Sequence, residues 1–166
     1  GTYLTDIIAS DGQASDSTAF SMTVSPESAH VDFDETNPVA VLVSQPGGNS
    51  GTFALTILVS ETPEDGLGEP GDVSKAQVSL QLIPVGPGSI YTPISCESAV
   101  SGSGYDATQV VTCLFEDVAV NTYSLEVSVG GGYYTGFGED VVVIYDPSLG
   151  FTTGGGSFYW PDTADP

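Results

Sequence analysis

The chain has 166 residues, of which 22 are Asp or Glu and only one, Lys75, is Lys or Arg, so its formal net charge is −21. Such a surface repels phosphate backbones and anionic lipid headgroups, which excludes nucleic acid and anionic membranes as expected partners. No apolar stretch reaches about 18 residues, so we expect no membrane insertion in this segment. The 21 Gly and 11 Pro, without helical spacing of apolar residues, favour an all-β chain.

Alternation of apolar and polar residues predicts about seven strands, separated by turns rich in Gly, Pro, Asn and Asp. In chain order, the predicted strands cover 29–33 with an edge continuation at 39–44, then 52–60, 76–82, 90–97, 109–115, 123–129 and 140–145. Short strands at this spacing are typical of a two-sheet sandwich. We therefore expect one complete domain at 27–146.

Similar hairpins occur at the start of the chain and at the end of this domain. The Thr-Tyr dipeptide at Tyr3 recurs at Tyr123, 123 − 3 = 120 residues later, and the stop at Pro26 recurs at Pro147, 147 − 26 = 121 residues later. A constant spacing of one small β domain indicates tandem modules. The alternative is a chance similarity, because Thr-Tyr and x-Pro are frequent in β proteins. We interpret 1–26 as the closing hairpin of a preceding module.

Several segments resemble known bacterial modules. Residues 51–59 (GTFALTILV), the loop 64–72 and residues 121–127 (NTYSLEV) resemble immunoglobulin-like modules of large bacterial surface and secreted proteins. Residues 1–25 are similar to the closing hairpin of PKD-like or cadherin-like repeats. The tail from 146 to 156 resembles the opening of a glycine-rich β module, so 147–166 is assigned to the start of a following module. The resemblance implies an immunoglobulin-like two-sheet sandwich of about seven strands, flanked by partial β modules, in an extracellular multidomain protein.

The functional expectation is a building block of a cell-surface stalk, adhesin or filament. Its partners are then neighbouring modules or copies of itself, joined by strand pairing. The competing expectation is a carbohydrate- or ligand-binding accessory domain of a secreted enzyme, with Tyr133, Tyr134 and Trp160 as a stacking platform. We do not expect an enzyme, because the single His30 and the lack of a nucleophile motif offer no basis for catalysis.

The two cysteines predict a local disulfide. Cys96 and Cys113 are 113 − 96 = 17 residues apart on consecutive predicted strands, whereas the standard immunoglobulin disulfide ties facing sheets across more than half of the domain. A cross-strand or loop disulfide fits this spacing, and Cys113 shares an expected inward face with Val111 and Phe115. The alternative is two buried free thiols. An even pair in such a β protein indicates an oxidising, extracellular compartment.

Tyrosine is predicted to have a structural role at two equivalent positions. Tyr3 and Tyr123 occur where such sandwiches place a tyrosine whose hydroxyl caps the turn into the penultimate strand. The alternative role is ligand binding.

Carboxylates are predicted to gather at one pole of the sandwich. In this fold the start of the first strand, the loop between the second and third strands, and the last hairpin loop share one end of the domain. Calcium takes about six to eight oxygen ligands, which flexible loops at a module junction can supply, so calcium is the candidate cofactor. The alternative is a solvated acidic surface. The predicted ligands are Glu27, Glu61, Glu64, Asp65 and Asp72.

Overall fold

The computed structural model describes residues 2–62, 70–130 and 133–149. Three predicted site residues, Glu64, Asp65 and Trp160, lie outside the described residues. So does most of the predicted following module at 147–166.

The described residues form ten strands and three short 3-10 helices. The strands are β1 (Thr2–Ser10), β2 (Ser15–Thr23), β3 (Glu27–Phe33), β4 (Ala40–Leu42), β5 (Ser50–Glu61), β6 (Gln77–Pro84), β7 (Ser95–Ser101), β8 (Thr108–Ala119), β9 (Asn121–Gly130) and β10 (Tyr134–Tyr145). The 3-10 helices cover Val73–Lys75, Gly104–Asp106 and Pro147–Leu149. Within this part of the chain, no helix has the length and apolar character needed to cross a membrane.

Strands β3 to β10 build two sheets. The first sheet has the order β7-β8-β5-β3 and is antiparallel, and the second has the order β6-β9-β10-β4, in which only β4 runs parallel to its neighbour. Strand β3 joins the sheets, because Glu27 and Ser28 pair in parallel with β10 before the strand continues beside β5. This is the strand order of an immunoglobulin sandwich. The predicted fold class is confirmed, with eight described strands in place of about seven.

The core lies between the two inner faces and follows the period-2 alternation of the sequence. In β5 the residues from Gly51 to Glu61 are buried at every second position. The rings of Phe53 and Phe115 stack across the pair β5–β8, with centroids 5.5 Å apart. The largest fully buried side chains are Tyr123, Phe115, Leu55, Ile57, Leu82, Leu125 and Ile144.

A glycine allows the two sheets to approach where β3 crosses between them. A Cβ atom on Gly136 in β10 would lie 2.6 Å from the backbone oxygen of Ala29 in β3. Only a residue without a side chain fits at that distance, so Gly136 is required for the parallel start of β3.

Tyr123 supplies the predicted turn cap. Its side chain is fully buried, and its hydroxyl donates to the backbone oxygen of Ala119 at 2.9 Å, four residues earlier. The Tyr91 ring packs edge-on against the Tyr123 ring at 5.8 Å, and the Tyr91 hydroxyl accepts from the Ala119 amide at 3.3 Å. Two tyrosines therefore satisfy both polar backbone groups of Ala119 at the turn between β8 and β9.

Removing the Tyr123 hydroxyl is expected to destabilise the fold. Tyr123→Phe leaves the partly buried Ala119 carbonyl without its donor, which costs about 1–3 kcal/mol of unfolding free energy. Urea denaturation measures this loss. Tyr3→Phe is the matched control, because Tyr3 is 60% exposed and its change should fall within about 0.5 kcal/mol. Equal stability of the two variants would contradict the capping role.

The prediction of a strand at 90–97 is wrong in its position. Tyr91 forms only an isolated bridge with Leu82 of β6, with amide–carbonyl distances of 2.8 and 3.0 Å. The chain then passes Pro93 and joins the other sheet as β7, which continues to Ser101, past the predicted end of the strand at 97. Every β7 residue is exposed, so this edge strand has no alternating burial for the sequence to show.

The predicted cross-strand disulfide is present. Cys96 of β7 lies directly opposite Cys113 of β8, and their sulfur atoms are bonded. Cys113 is fully buried and shares the inner face with Val111 and Phe115, as expected. The bond therefore fastens an exposed edge strand to the core through a single buried sulfur.

The hairpin β1–β2 lies outside the sandwich. Its strands pair only with each other among the described residues, and all of their residues are exposed. Tyr3 therefore does not cap a buried turn here, because no described sheet covers this hairpin. The domain boundary at residue 26 stays a prediction.

Candidate functional site

The predicted pole forms at the end of the sandwich where β3 begins. There the start of β3, the end of β5, residues 70–72 and the start of β10 meet; we call this the Glu61 pole. The Glu27 amide donates to the Tyr133 oxygen at 2.7 Å, and the Thr62 amide donates to the Ser28 oxygen at 3.1 Å. These backbone bonds join the three strands, so the side chains at the pole rest on a fixed frame.

Glu61 is the central acceptor of this pole. Its side chain is 8% exposed, and its Oε2 atom accepts from the Gly71 amide at 2.7 Å and from the Tyr134 hydroxyl at 3.2 Å. A Cβ atom on Gly71 would collide with the Tyr134 hydroxyl oxygen, so glycine is needed for this close approach. The buried carboxylate thus fastens the loop after β5 to the first residue of β10.

Two adjacent tyrosines connect Glu61 with Glu27. The rings of Tyr133 and Tyr134 pack edge-on, with centroids 5.4 Å apart. The Tyr133 hydroxyl donates to Oε1 of Glu27. The other Glu27 oxygen is buried and has no hydrogen-bond partner among the described residues. Both carboxylates therefore contact the tyrosine pair, Glu61 from a buried position and Glu27 from a partly buried one.

This environment stabilises the neutral form of Tyr134. Burial first, then the carboxylates of Glu61 and Glu27, raises the pKa of Tyr134 well above its usual value of 10.0. Because the folded pKa exceeds the unfolded one, the contribution of Tyr134 to stability is complete below pH 10.0 and is lost as the pH rises further.

The described carboxylates do not assemble a cation site by themselves. Asp72 accepts from the Ser74 amide at 3.1 Å and lies 3.8 Å from the Lys75 ammonium, so it caps the short helix Val73–Lys75. Glu61 already accepts two hydrogen bonds. Within the described ranges, no group of three or more His, Cys, Asp or Glu side chains is placed to hold a metal ion. With Glu64 and Asp65 outside those ranges, calcium binding stays a prediction.

Two of the three residues of the predicted stacking platform, Tyr133 and Tyr134, lie within the described residues. Tyr134 is 2% exposed and presents no ring face to a ligand, because it packs under the loop that contains Gly71. Tyr133 is 40% exposed, and its hydroxyl is bonded to Glu27. Trp160 lies outside the described residues. The structure therefore places Tyr134 in the framework of the pole and leaves Tyr133 as the accessible member.

No protein-family model and no curated protein matches this chain. Two features of the Glu61 pole bear on the function of the chain. The carboxylates of Glu61 and Glu27 bond groups from different elements, and the chain joins the sandwich at this same pole, at Glu27.

The contact between Glu61 and Tyr134 was missed at the level of sequence, although a signal exists. Phe53, Leu55, Ile57 and Val59 alternate, and Glu61 continues the same parity. A strand of period 2 therefore turns Glu61 toward the core, where a carboxylate requires hydrogen-bond donors. The sequence does not reveal which donors meet it.

Removing the charge of Glu61 is expected to change the ionisation of Tyr134. Glu61→Gln keeps an oxygen acceptor but removes the negative charge, so Tyr134 should ionise at lower pH than in the wild type. Titration to alkaline pH, followed by the absorbance of ionised tyrosine, measures this change. The step that disappears in Tyr134→Phe belongs to Tyr134, which separates it from the other tyrosines among the eight. Glu116→Gln is the control, because Glu116 is exposed on β8. An unchanged Tyr134 titration in Glu61→Gln would contradict the electrostatic role of Glu61.

Proposed function

We propose that this chain is an extracellular structural module, a building block of a cell-surface stalk, adhesin or filament. The observation that supports this most directly is the position of the two connections to the sandwich. The chain joins it at Glu27, beside Tyr134 at the start of β10, and leaves it after Tyr145 at the end of the same strand. A strand of 12 residues extends about 36 Å, so the two connections lie at opposite poles.

Opposite connections suit a module that is arranged in line with its neighbours. A protein that binds a ligand has no need for this arrangement, whereas a spacer gains length from each module that it adds. The hairpin β1–β2 adds support, because it is a separate β element that precedes the sandwich in the chain.

The hydrogen bonds near the second connection suit a load-bearing module. Strand β4 pairs in parallel with the last residues of β10, and flanking bonds join the Val143 amide to the Val39 oxygen and the Val43 amide to the Tyr145 oxygen, both at 3.0 Å. Tension between the two poles pulls β4 and β10 in opposite directions along their axes. These bonds then resist together in shear, rather than opening one after another.

The charge of the chain is consistent with exposure and lateral separation. Lys75 is the only Lys or Arg in the sequence, and its ammonium lies 3.8 Å from Asp72. A net charge of −21 makes neighbouring modules repel one another side by side, which favours extended rather than bundled arrangements at low salt. The disulfide is compatible with an oxidising, extracellular setting.

The carbohydrate-binding alternative has less support among the described residues. It requires several ring faces on one open surface, whereas Tyr134 is buried and Tyr133 is tied to Glu27.

Single-molecule pulling through the two ends of the chain tests the proposal. We expect the sandwich to unfold in one high-force step, and Val43→Pro to lower that force because proline lacks the amide that bonds to Tyr145. Ile57→Val is the control: it removes one buried methyl group, lowering equilibrium stability by about 0.5–1.5 kcal/mol, but lies outside the loaded pair. A sandwich that opens at low force, with no response to Val43→Pro, would contradict a load-bearing function.

A further inference from the structure

The hairpin β1–β2 has the same register as the hairpin β9–β10. Tyr3 pairs with Met22, and Tyr123 pairs with Val142, so both partners recur 120 residues later (123 − 3 and 142 − 22). A pair close to the turn behaves identically, since Ala9 is opposite Asp16 and Val129 is opposite Gly136. The two hairpins therefore pair in the same register over these positions, and the members of the pair close to the turn are equally far apart in sequence (16 − 9 = 136 − 129 = 7).

Shared register assigns the same inner face to both hairpins. In β9–β10 this face contributes Tyr123, Val127 and Val142, each at most 2% exposed. The equivalent residues of β1–β2 are Tyr3, Ile7 and Met22, which are 60%, 62% and 51% exposed. We call these three residues, together with Phe20 on the same side, the inner hairpin face. It has the apolar character of a core surface but is exposed to solvent.

The sandwich itself shows what covers such a face. The inner side of β9–β10 belongs to one core cluster with Leu55 and Ile57 of β5 and Phe115 of β8. In addition, β6 pairs with the edge of β9, and β3 begins beside the edge of β10. An immunoglobulin hairpin of this register is therefore covered by an apolar sheet and flanked by a strand on each side.

We infer that the inner hairpin face is a docking surface for an open half-sandwich: a sheet of the β3–β5–β8 kind, with a flanking strand like β6, on a module that lacks its own last two strands. This inference deepens the proposed function and rests on it, because it names the partner that would join neighbouring modules. The hairpin would then complete that module's second sheet as β9 and β10 complete the sheet described here.

A second copy of the inner hairpin face is a poorer occupant. Four half-exposed large side chains offer roughly 450 Å², about half of what one partner usually contributes to a stable interface. Each copy also carries a net charge of −21, which opposes association of like with like. A half-sandwich adds backbone pairing at both edges of the hairpin and thereby compensates for the small apolar area.

Transplanting the hairpin within the full chain tests the fit. The graft replaces residues 122–143 by the sequence of residues 2–23, which the register allows without a change in length. We expect a monomer with a cooperative thermal transition and an intact Cys96–Cys113 bond. On the graft, Ile7→Asp should abolish that transition, whereas Ile8→Asp on the opposite face should retain it, which makes Ile8 the matched control.

The first graft could fail to fold because its inner face is packed too loosely, or because that face does not fit the sandwich. A second graft distinguishes these two causes. It carries Thr5→Leu and Ala14→Tyr, which restore the equivalents of Leu125 and Tyr134. If neither graft unfolds cooperatively, or if both aspartate variants are tolerated equally, the inference is overturned.

Sedimentation of the unmodified chain tests whether a second copy of the chain occupies the inner hairpin face. We expect the chain to sediment as a monomer. A dimer that Ile7→Asp disrupts and Ile8→Asp preserves would identify a second copy as the occupant and overturn the inference. The pulling experiment measures only the sandwich, so the proposed function and the docking surface can fail separately.

Discussion

Phe115→Ala is expected to be the most destabilising single change in the sandwich, costing about 3–5 kcal/mol. Phe115 is fully buried, stacks on Phe53 at 5.5 Å and lies on β8, next to β5 in the middle of its sheet. Truncation removes a large apolar surface and leaves a cavity between two sheets that cannot easily close. Because domains of this size are stable by only about 5–15 kcal/mol, the variant should be near its unfolding midpoint under mild denaturant.

Denaturant unfolding followed by fluorescence or circular dichroism measures this loss. Phe137→Ala is the matched control, since Phe137 is 58% exposed on the outer side of β10 and should change stability by no more than about 0.5 kcal/mol. If both alanine variants were equally stable, the placement of the core between the inner faces of β5 and β8 would be wrong.

Removing the disulfide is expected to have the second largest effect. The bond closes a loop with a sequence separation of 17, for which the chain-entropy relation gives about 3 kcal/mol. The double variant Cys96→Ala with Cys113→Ala should lose that amount. It should also loosen β7, because every residue of this edge strand is exposed and the buried Cys113 sulfur is its covalent attachment to the core.

Hydrogen exchange locates the second effect. Amides of β7 should exchange faster in the double variant than in the wild type, while amides of β9 keep their protection. A reducing agent should reproduce the change in the wild type and have no effect on the variant. A β7 that stays protected after both treatments would show that its backbone pairing with β8 suffices.

Sequence patterning was informative where strands are buried on one face. Phe53 to Val59 alternate cleanly, and the structure extends that strand by only a few residues, to Ser50 and Glu61. The inward orientation of Cys113 follows from the same parity and was confirmed. The capping role of Tyr123, predicted from its position at the start of the penultimate strand, was also confirmed. The predictions from parity succeed because period-2 burial is a local property of the chain.

Predictions were weaker where a residue's surroundings depend on distant segments. Strand β7 has no buried side to create a pattern, and its register follows from the pairing of Cys96 with Cys113. Tyr134 beside a glycine-rich turn resembled an exposed ring, yet the approach of Gly71 and Glu61 encloses it. The repeat could be seen in the sequence, where its two ends differ by 120 and 121 residues. Only the strand pairs of the two hairpins show that the offset is 120 residues throughout.

The position of Lys75 limits how this protein can be digested. Proteases of the trypsin type cut after Lys or Arg, and the sequence offers them one peptide bond, between Lys75 and Ala76. That bond ends the helix Val73–Lys75, whose neighbours Val73 and Ala76 are buried and joined by a backbone hydrogen bond of 3.0 Å. Cleavage therefore requires local opening of the core. A chain built in this way should persist in surroundings rich in such proteases.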